Sequence, residues 1–174
     1  MNTLRTETSA DRGAVWQVNV EAFGNREEEA KLVERIRKSD SFIASLSLVA
    51  ESEGGIVGHA LFSKASIVVG DKDHEVIVLA PIAVLPAFQK QGSGKQLIEE
   101  GLSRSRELGY PGVLLIGHPD YYPRFGFRQA RTFGLVLKQF EVSDEVFMAV
   151  ELTDGALLAL QGGELRYPDA FFRS

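Results

Sequence analysis

The chain of 174 residues contains no cysteine, which excludes a disulfide framework, a thiol nucleophile and a cysteine-ligated metal site. Histidine is nearly as scarce: His59, His74 and His118 are scattered along the chain, so no metal is expected. No apolar run is long enough to span a bilayer, and the longest, Val76 to Val84, is interrupted by Pro81. The opening segment, Met1 to Glu7, is polar. A soluble, cytoplasmic protein with no membrane partner is therefore expected. Repeats and low-complexity segments are also missing, so with 44% apolar and 25% charged residues a single domain over 1–174 is expected, with its core at about 3–151 and a tail at 152–174. The net charge of −5 argues against nucleic acid as the main partner.

What the chain does have is a stretch from Val76 to Leu108 around which the remainder is organised. The run Val76-Ile77-Val78-Leu79-Ala80-Pro81-Ile82-Ala83-Val84 reads as a buried strand. It leads through Leu85-Pro86-Ala87-Phe88 into a glycine turn, Gln89-Lys90-Gln91-Gly92-Ser93-Gly94-Lys95. Leu97, Ile98, Gly101, Leu102 and Leu108, interleaved with Glu99, Glu100, Arg104, Arg106 and Glu107, then give the period of an amphipathic helix closed by Gly109. A helix start carries unpartnered N–H groups and the positive end of the helix dipole, and two glycines there let an anion come close. The expected ligand is a phosphate; the alternative is that Gly92 and Gly94 only shape a tight turn. A P-loop is excluded because one residue separates the glycines and Gln96 follows Lys95. A Rossmann turn fits poorly because Leu97 holds the third small position and a long connector with Pro86 precedes the glycines.

Ahead of this stretch, Thr3 to Thr6 can form a short strand, and Thr8, Ser9 or Asp11 can cap a helix carrying Val15, Trp16, Val18, Val20, Ala22 and Phe23. Arg26 to Lys38 reads as a second helix with Ala30, Leu32, Val33 and Ile36 on its apolar face. Its acids, Glu27, Glu28, Glu29 and Glu34, read as a solvated face. Residues 44–50 and 56–62 flank Glu53-Gly54-Gly55 as a hairpin, and Gly70 to Asp73 is a turn before the central strand. Beyond the helix come a strand at Val113 to Gly117, a short helical segment with Tyr121 and Tyr122, and two strand-like segments at Phe133–Lys138 and Phe147–Glu151. Strand, helix and strand from 76 to 117 form a crossover in a locally parallel sheet.

Gln89-x-x-Gly92-x-Gly94, after a strand ending Ile82-Ala83-Val84-Leu85-Pro86, resembles the acetyl-CoA pyrophosphate signature of the GNAT N-acetyltransferase superfamily, Arg/Gln-x-x-Gly-x-Gly/Ala. Tyr121-Tyr122-Pro123-Arg124-Phe125-Gly126-Phe127 resembles the closing Tyr-x-x-x-Gly-Phe motif of the same family. The resemblance implies an α+β fold with a mixed, mostly antiparallel sheet of six to seven strands flanked by helices, splayed at a central strand pair where acetyl-CoA lies. It further implies that the N–H groups of Gln91, Gly92, Ser93, Gly94 and Lys95, with Gln89 and with Lys90 or Lys95, hold the diphosphate. Ile82, Ala83 and Val84 would present backbone groups to the pantetheine arm. Gln89 replaces the arginine of many members, which removes one charged contact.

Acetyl transfer to an amine needs a held cofactor, a neutral amine, a polarised carbonyl and a proton for the departing thiolate. A phenol, with pKa about 10, keeps its proton at neutral pH and can donate it to a thiolate whose conjugate acid has pKa about 8.5. Tyr122, four residues before Gly126, occupies the family's position for that acid; Tyr121 reads as a packing aromatic. Glu21, His59 and Glu75 are conceivable bases, His59 also reading as a satisfied core residue, and His118 is an outside candidate for cofactor contact. The expected activity is direct transfer from acetyl-CoA to a primary amine of a small molecule or protein, since no cysteine can carry an acetyl group. The alternatives are a non-catalytic acyl-CoA sensor and a generic nucleotide-phosphate binder. Strand-mediated dimers are common in such folds, so a homodimer is one expectation.

Overall fold

A computed structural model describes residues 2–172. The described residues form two compact units, one of 2–63, 79–104 and 170–172, the other of 64–78 and 105–169.

The first unit opens with β1 (Thr3–Thr6), followed by helices α1 (Arg12–Ala22) and α2 (Glu28–Arg37). The turn into α1 is fixed by Asp11, whose carboxylate accepts from the Thr8 N–H at 2.7 Å and the Thr8 hydroxyl at 3.0 Å. Arg5 grips the same carboxylate with two nitrogens, at 2.6 and 2.9 Å, and this hydrogen-bonded guanidinium holds the Asp11 pKa well below the usual carboxylate range. Strand β2 (Ser47–Ser52) pairs antiparallel with β1, Thr3 opposite Glu51 and Thr6 opposite Leu48. It also pairs with β3 (Gly55–Val69), with a register shift between Ala50 and Glu51. β4 (Lys72–Val84) lies beside β3. Ala30, Val33 and Ile36 of α2 are buried as their spacing requires, and Val33 and Ile36 pack with Val15, Val49, Leu61 and Ala170. Burying each such aliphatic side chain contributes roughly 1.5–3 kcal/mol.

Helix α3 (Ser93–Glu107) is seated by two glycines. A Cβ on Gly101 would stand 2.0 Å from Phe62 Cε1, so the Phe62 ring occupies the notch that this glycine leaves. Gly58 on β3 lets Leu97 Cδ1 come to 3.1 Å of where its own Cβ would be.

In the second unit β4 pairs parallel with β5 (Gly112–Ile116) at Ile77–Val113 and Val78–Leu114. Two-residue strands follow, β6 (Arg128–Gln129) and β7 (Val136–Leu137), then β8 (Phe147–Glu151) and β9 (Glu164–Arg166). β8 pairs antiparallel with β5 and with β6. β9 is antiparallel to Ser66–Val68 of β3 and parallel to β7. The fold is therefore α+β with a mixed, mostly antiparallel sheet, as expected, and among the described residues the sheet has nine strands where six to seven were expected. The additional strands are two or three residues long, too short to show a period of two. The segment expected as a strand from Phe133 to Lys138 is a single 3₁₀ turn, Ala130–Phe133, then Gly134 and the two residues of β7. The tail also joins the sheet, through β9. The Ala80–Pro81 peptide is cis. Among the described residues no helix is long and apolar enough to cross a membrane.

Candidate active site

In the first unit, β4 delivers the glycine turn. Ala83 is buried, whereas Ile82 and Val84 on either side are half-buried. The chain leaves the strand with the Leu85 N–H on the Val57 carbonyl at 2.8 Å and makes one 3₁₀ turn, Pro86–Phe88. Both glutamines of the motif brace this loop: Gln89 Nε2 donates to the Val84 carbonyl at 3.1 Å and Gln91 Nε2 to the Ala87 carbonyl at 3.2 Å. Two residues are then left-handed, Lys90 at φ 64° and Gly92 at φ 92°. For a lysine this conformation costs about 1 kcal/mol, whereas glycine adopts it freely.

Gln96 N–H donates to the Gly92 carbonyl at 3.0 Å, the first backbone bond of α3. The N–H groups of Ser93, Gly94 and Lys95 lie ahead of that bond, the donor set a phosphate requires. A Cβ on Gly92 would meet nothing within 4 Å, so its outer side is open. Lys90, Gln91 and Lys95 are exposed, while Ser93 is buried with its hydroxyl turned inward. The Ser93 N–H belongs to the donor set at the helix start.

In the second unit, Tyr122 begins the 3₁₀ turn Tyr122–Phe125, which ends at left-handed Gly126 (φ 93°). Its ring is held edge-on between Tyr121, with centroids 5.2 Å apart, and Phe127, 5.7 Å away. Burial, and then the neighbouring Tyr121, push the Tyr122 pKa up to about 12. Tyr121 is packed as expected, with Phe125 at 5.3 Å and the Arg124 guanidinium 4.6 Å above its ring. Gly117, just past β5, was not apparent from the sequence: a Cβ there would stand 2.5 Å from Tyr122 Cε2, so the ring lies where a side chain would be.

His59 is fully buried in the first unit, and its hydrogen bonds fix its tautomer. The Ser47 hydroxyl donates to Glu7 Oε1 at 2.8 Å, so it can only accept from His59 Nε2, 3.1 Å away. The other ring nitrogen, Nδ1, accepts from Asn19 Nδ2 at 3.2 Å, and Arg37 closes the chain on Glu7 Oε2 at 2.6 Å. Burial, and then the positive charge of Arg37, push the His59 pKa down to about 3. This is a satisfied core histidine. Glu21 accepts from Gln17 on an exposed face, Glu75 is exposed, and His118 is exposed with Nδ1 accepting from the Asp120 N–H.

A mixed sheet whose central strand ends in a braced glycine turn at a helix start agrees with the acyltransferase fold expected from the sequence. Residues 3–130 match the family model of the acetyltransferase (GNAT) domain, and the chain belongs to that family. It is 38% identical over 126 residues to the uncharacterized N-acetyltransferase YjhQ of Escherichia coli K12, covering 72% of this chain and 68% of that protein. To the uncharacterized N-acetyltransferase YhbS of the same strain it is 36% identical over 135 residues, 77% of this chain and 78% of the relative. The crystal structure of E. coli YhbS in complex with CoA matches with a TM-score of 0.87 at 29% identity, over 99% of this chain and 92% of that one. A GNAT acetyltransferase from Brucella melitensis in complex with acetyl-CoA matches with a TM-score of 0.75 at 29% identity, over 98% of each.

Proposed function

We propose that this enzyme transfers the acetyl group of acetyl-CoA directly to a primary amine, within a ternary complex and in the cytoplasm. The observation that carries the proposal is the start of α3, where the N–H groups of Ser93, Gly94 and Lys95 precede the first helical bond beside an open Gly92. Gln91 and Gly92 extend this donor set, and exposed Lys90 and Lys95 add positive charge for the diphosphate. Gln89, with one amide hydrogen on Val84, braces the seat and has its second hydrogen for the ligand. Ile82, Ala83 and Val84 offer backbone groups to the pantetheine arm, in the manner of an added strand.

Tyr122 is the proposed proton donor to the departing thiolate. Its phenol stays protonated at any assay pH, which suits an acid. Burial weakens the phenol as an acid, but it equally raises the proton affinity of a thiolate formed in the same surroundings, so the transfer is less uphill than solution values suggest. With His59 neutral and enclosed, a water chain to bulk solvent is the proposed route for the amine's proton. For an amine of pKa about 10.4 only roughly one molecule in 2500 is neutral at pH 7, a cost of about 4.6 kcal/mol that such a route must meet.

The test is calorimetric titration with acetyl-CoA beside Gly94→Glu, which sets a carboxylate at the helix start. Saturable binding that the variant loses is the expected result; no binding at millimolar acetyl-CoA would overturn the proposal.

A further inference from the structure

The residue just before β1 reaches the anion seat. Asn2 Nδ2 donates to Ser93 Oγ at 2.6 Å and to Gln96 Oε1 at 3.1 Å. Ser93 is the first residue of α3, and Gln96 supplies the N–H of its first backbone bond, to Gly92 at 3.0 Å. One carboxamide thus holds both ends of the helical turn whose N–H groups face the proposed diphosphate. Asn2 is itself held, because the strand that begins at Thr3 is paired with β2 from Thr3–Glu51 to Thr6–Leu48. The burial of Ser93, only 3% exposed, keeps water from competing for its hydroxyl.

We propose that Asn2 is a positioning residue for the diphosphate of acetyl-CoA, acting through Ser93 and Gln96; this rests on the function proposed above. Convergent N–H donors bind an anion well only when their directions are fixed beforehand, since a fraying first turn must be reordered on binding. Side chain and partners are all neutral, so the turn is braced without adding charge beside the ligand. Aspartate would reverse this: it loses both donor hydrogens and sets a negative charge one helical turn from a diphosphate.

The experiment titrates CoA into the wild-type protein, Asn2→Ala, Asn2→Asp, Ser93→Ala and the Asn2→Ala/Ser93→Ala double variant, with thermal midpoints alongside. Asn2→Ala is expected to weaken CoA binding about five- to tenfold. Asn2→Asp should weaken it further, by a margin that shrinks as salt rises. Because Asn2 also donates to Gln96, the double variant should bind more weakly than Ser93→Ala, but by less than the product of the two single effects, as residues that share part of one path require. In turnover, the KM for acetyl-CoA should rise while kcat at saturation and the KM for the amine stay put, a split that general loss of stability would not produce. Should Asn2→Ala fail to fold, Ser93→Ala alone carries the comparison and must show the same weakening. Wild-type and Asn2→Ala proteins binding CoA within twofold of each other would overturn the inference. A wild-type protein that does not bind CoA would instead overturn the function on which it rests.

Discussion

Lowering the pH from 7.5 to 5 should destabilise the protein through His59 alone by about 2 kcal/mol. In the fold the ring is neutral, with Nδ1 accepting from Asn19 and Nε2 donating to Ser47, and its pKa is pushed down to about 3 by burial and then by Arg37. In the unfolded chain the same ring titrates near 6.5. A base with a depressed folded pKa contributes stability that is complete above the unfolded pKa and is lost as pH falls, because only the unfolded state binds the proton. At pH 5 the gap from 6.5 is 1.5 units, at about 1.36 kcal/mol each. Between pH 5.5 and 4 the stability curve should therefore carry a slope of one proton. Native carboxylates contribute their own acid sensitivity, so the measurement is a difference. Urea denaturation at half-unit pH steps from 7.5 to 4.5 is compared in the wild-type protein and in His59→Gln, which keeps a donor for Ser47. The two curves should converge at low pH, the wild-type losing about 2 kcal/mol more by pH 5. Parallel curves would refute the reasoning, since the native protein would then be accommodating a proton somewhere along Glu7, Ser47 and His59.

Tyr122→Phe should lower kcat about a hundredfold with CoA affinity within twofold of wild type; a purely sensing protein would bind CoA and show no turnover to lose. With the phenol pushed up to about 12, the wild-type kcat profile should show no falling limb from this residue below pH about 11. Gly117→Ala sets a methyl group 2.5 Å from Tyr122 Cε2 and should reduce turnover while costing about 1–3 kcal/mol in a urea melt. Gly101→Ala, with its Cβ 2.0 Å from Phe62 Cε1, should cost at least about 1–3 kcal/mol, and Phe62→Leu in the same chain should recover part of it. Additive losses in that pair would contradict the notch.

The features legible in the sequence were those carried by contiguous pattern. The strand before Leu85, the glycine turn and α3 follow from an apolar run, two closely spaced glycines and a helical period, all within 76–108. The helices α1 and α2 follow in the same way, although Asp11, one of the expected caps, turns its carboxylate back to Thr8 and makes no side-chain cap bond to α1. What escaped depends on partners remote in sequence. Leu165 is in a strand only because Ile67 and Leu137 pair with it, and three residues around it carry no period. Phe133 has strand propensity, yet the backbone turns at Gly134 (φ 73°), so the ring is buried from a 3₁₀ turn instead. Gly117 reads as a strand end until the ring five residues later is seen against it. His59 could be read as base or core from its neighbours in sequence; Asn19 and Ser47, forty and twelve residues away, decide for the core. Gln89 reads as a ligand contact, and the carbonyl it braces lies five residues back, within its own loop.

The Phe62 ring in the notch of Gly101 does more than fill space. A rise of about 1.5 Å and a turn of about 100° separate adjacent residues of a helix, so sliding or rotating α3 by one step would bring a side-chain carbon into the ring. The contact therefore resists a one-residue slide or rotation of the helix. Gly101 lies eight residues beyond Ser93, so a steric contact about 12 Å down the axis sets where the first N–H groups stand. If the proposed diphosphate seat is right, drift in the sequence of the glycine loop can change how strongly the diphosphate is held without moving the start of α3. Shifting α3, and with it the proposed seat, would have to relieve the contact between Phe62 and Gly101.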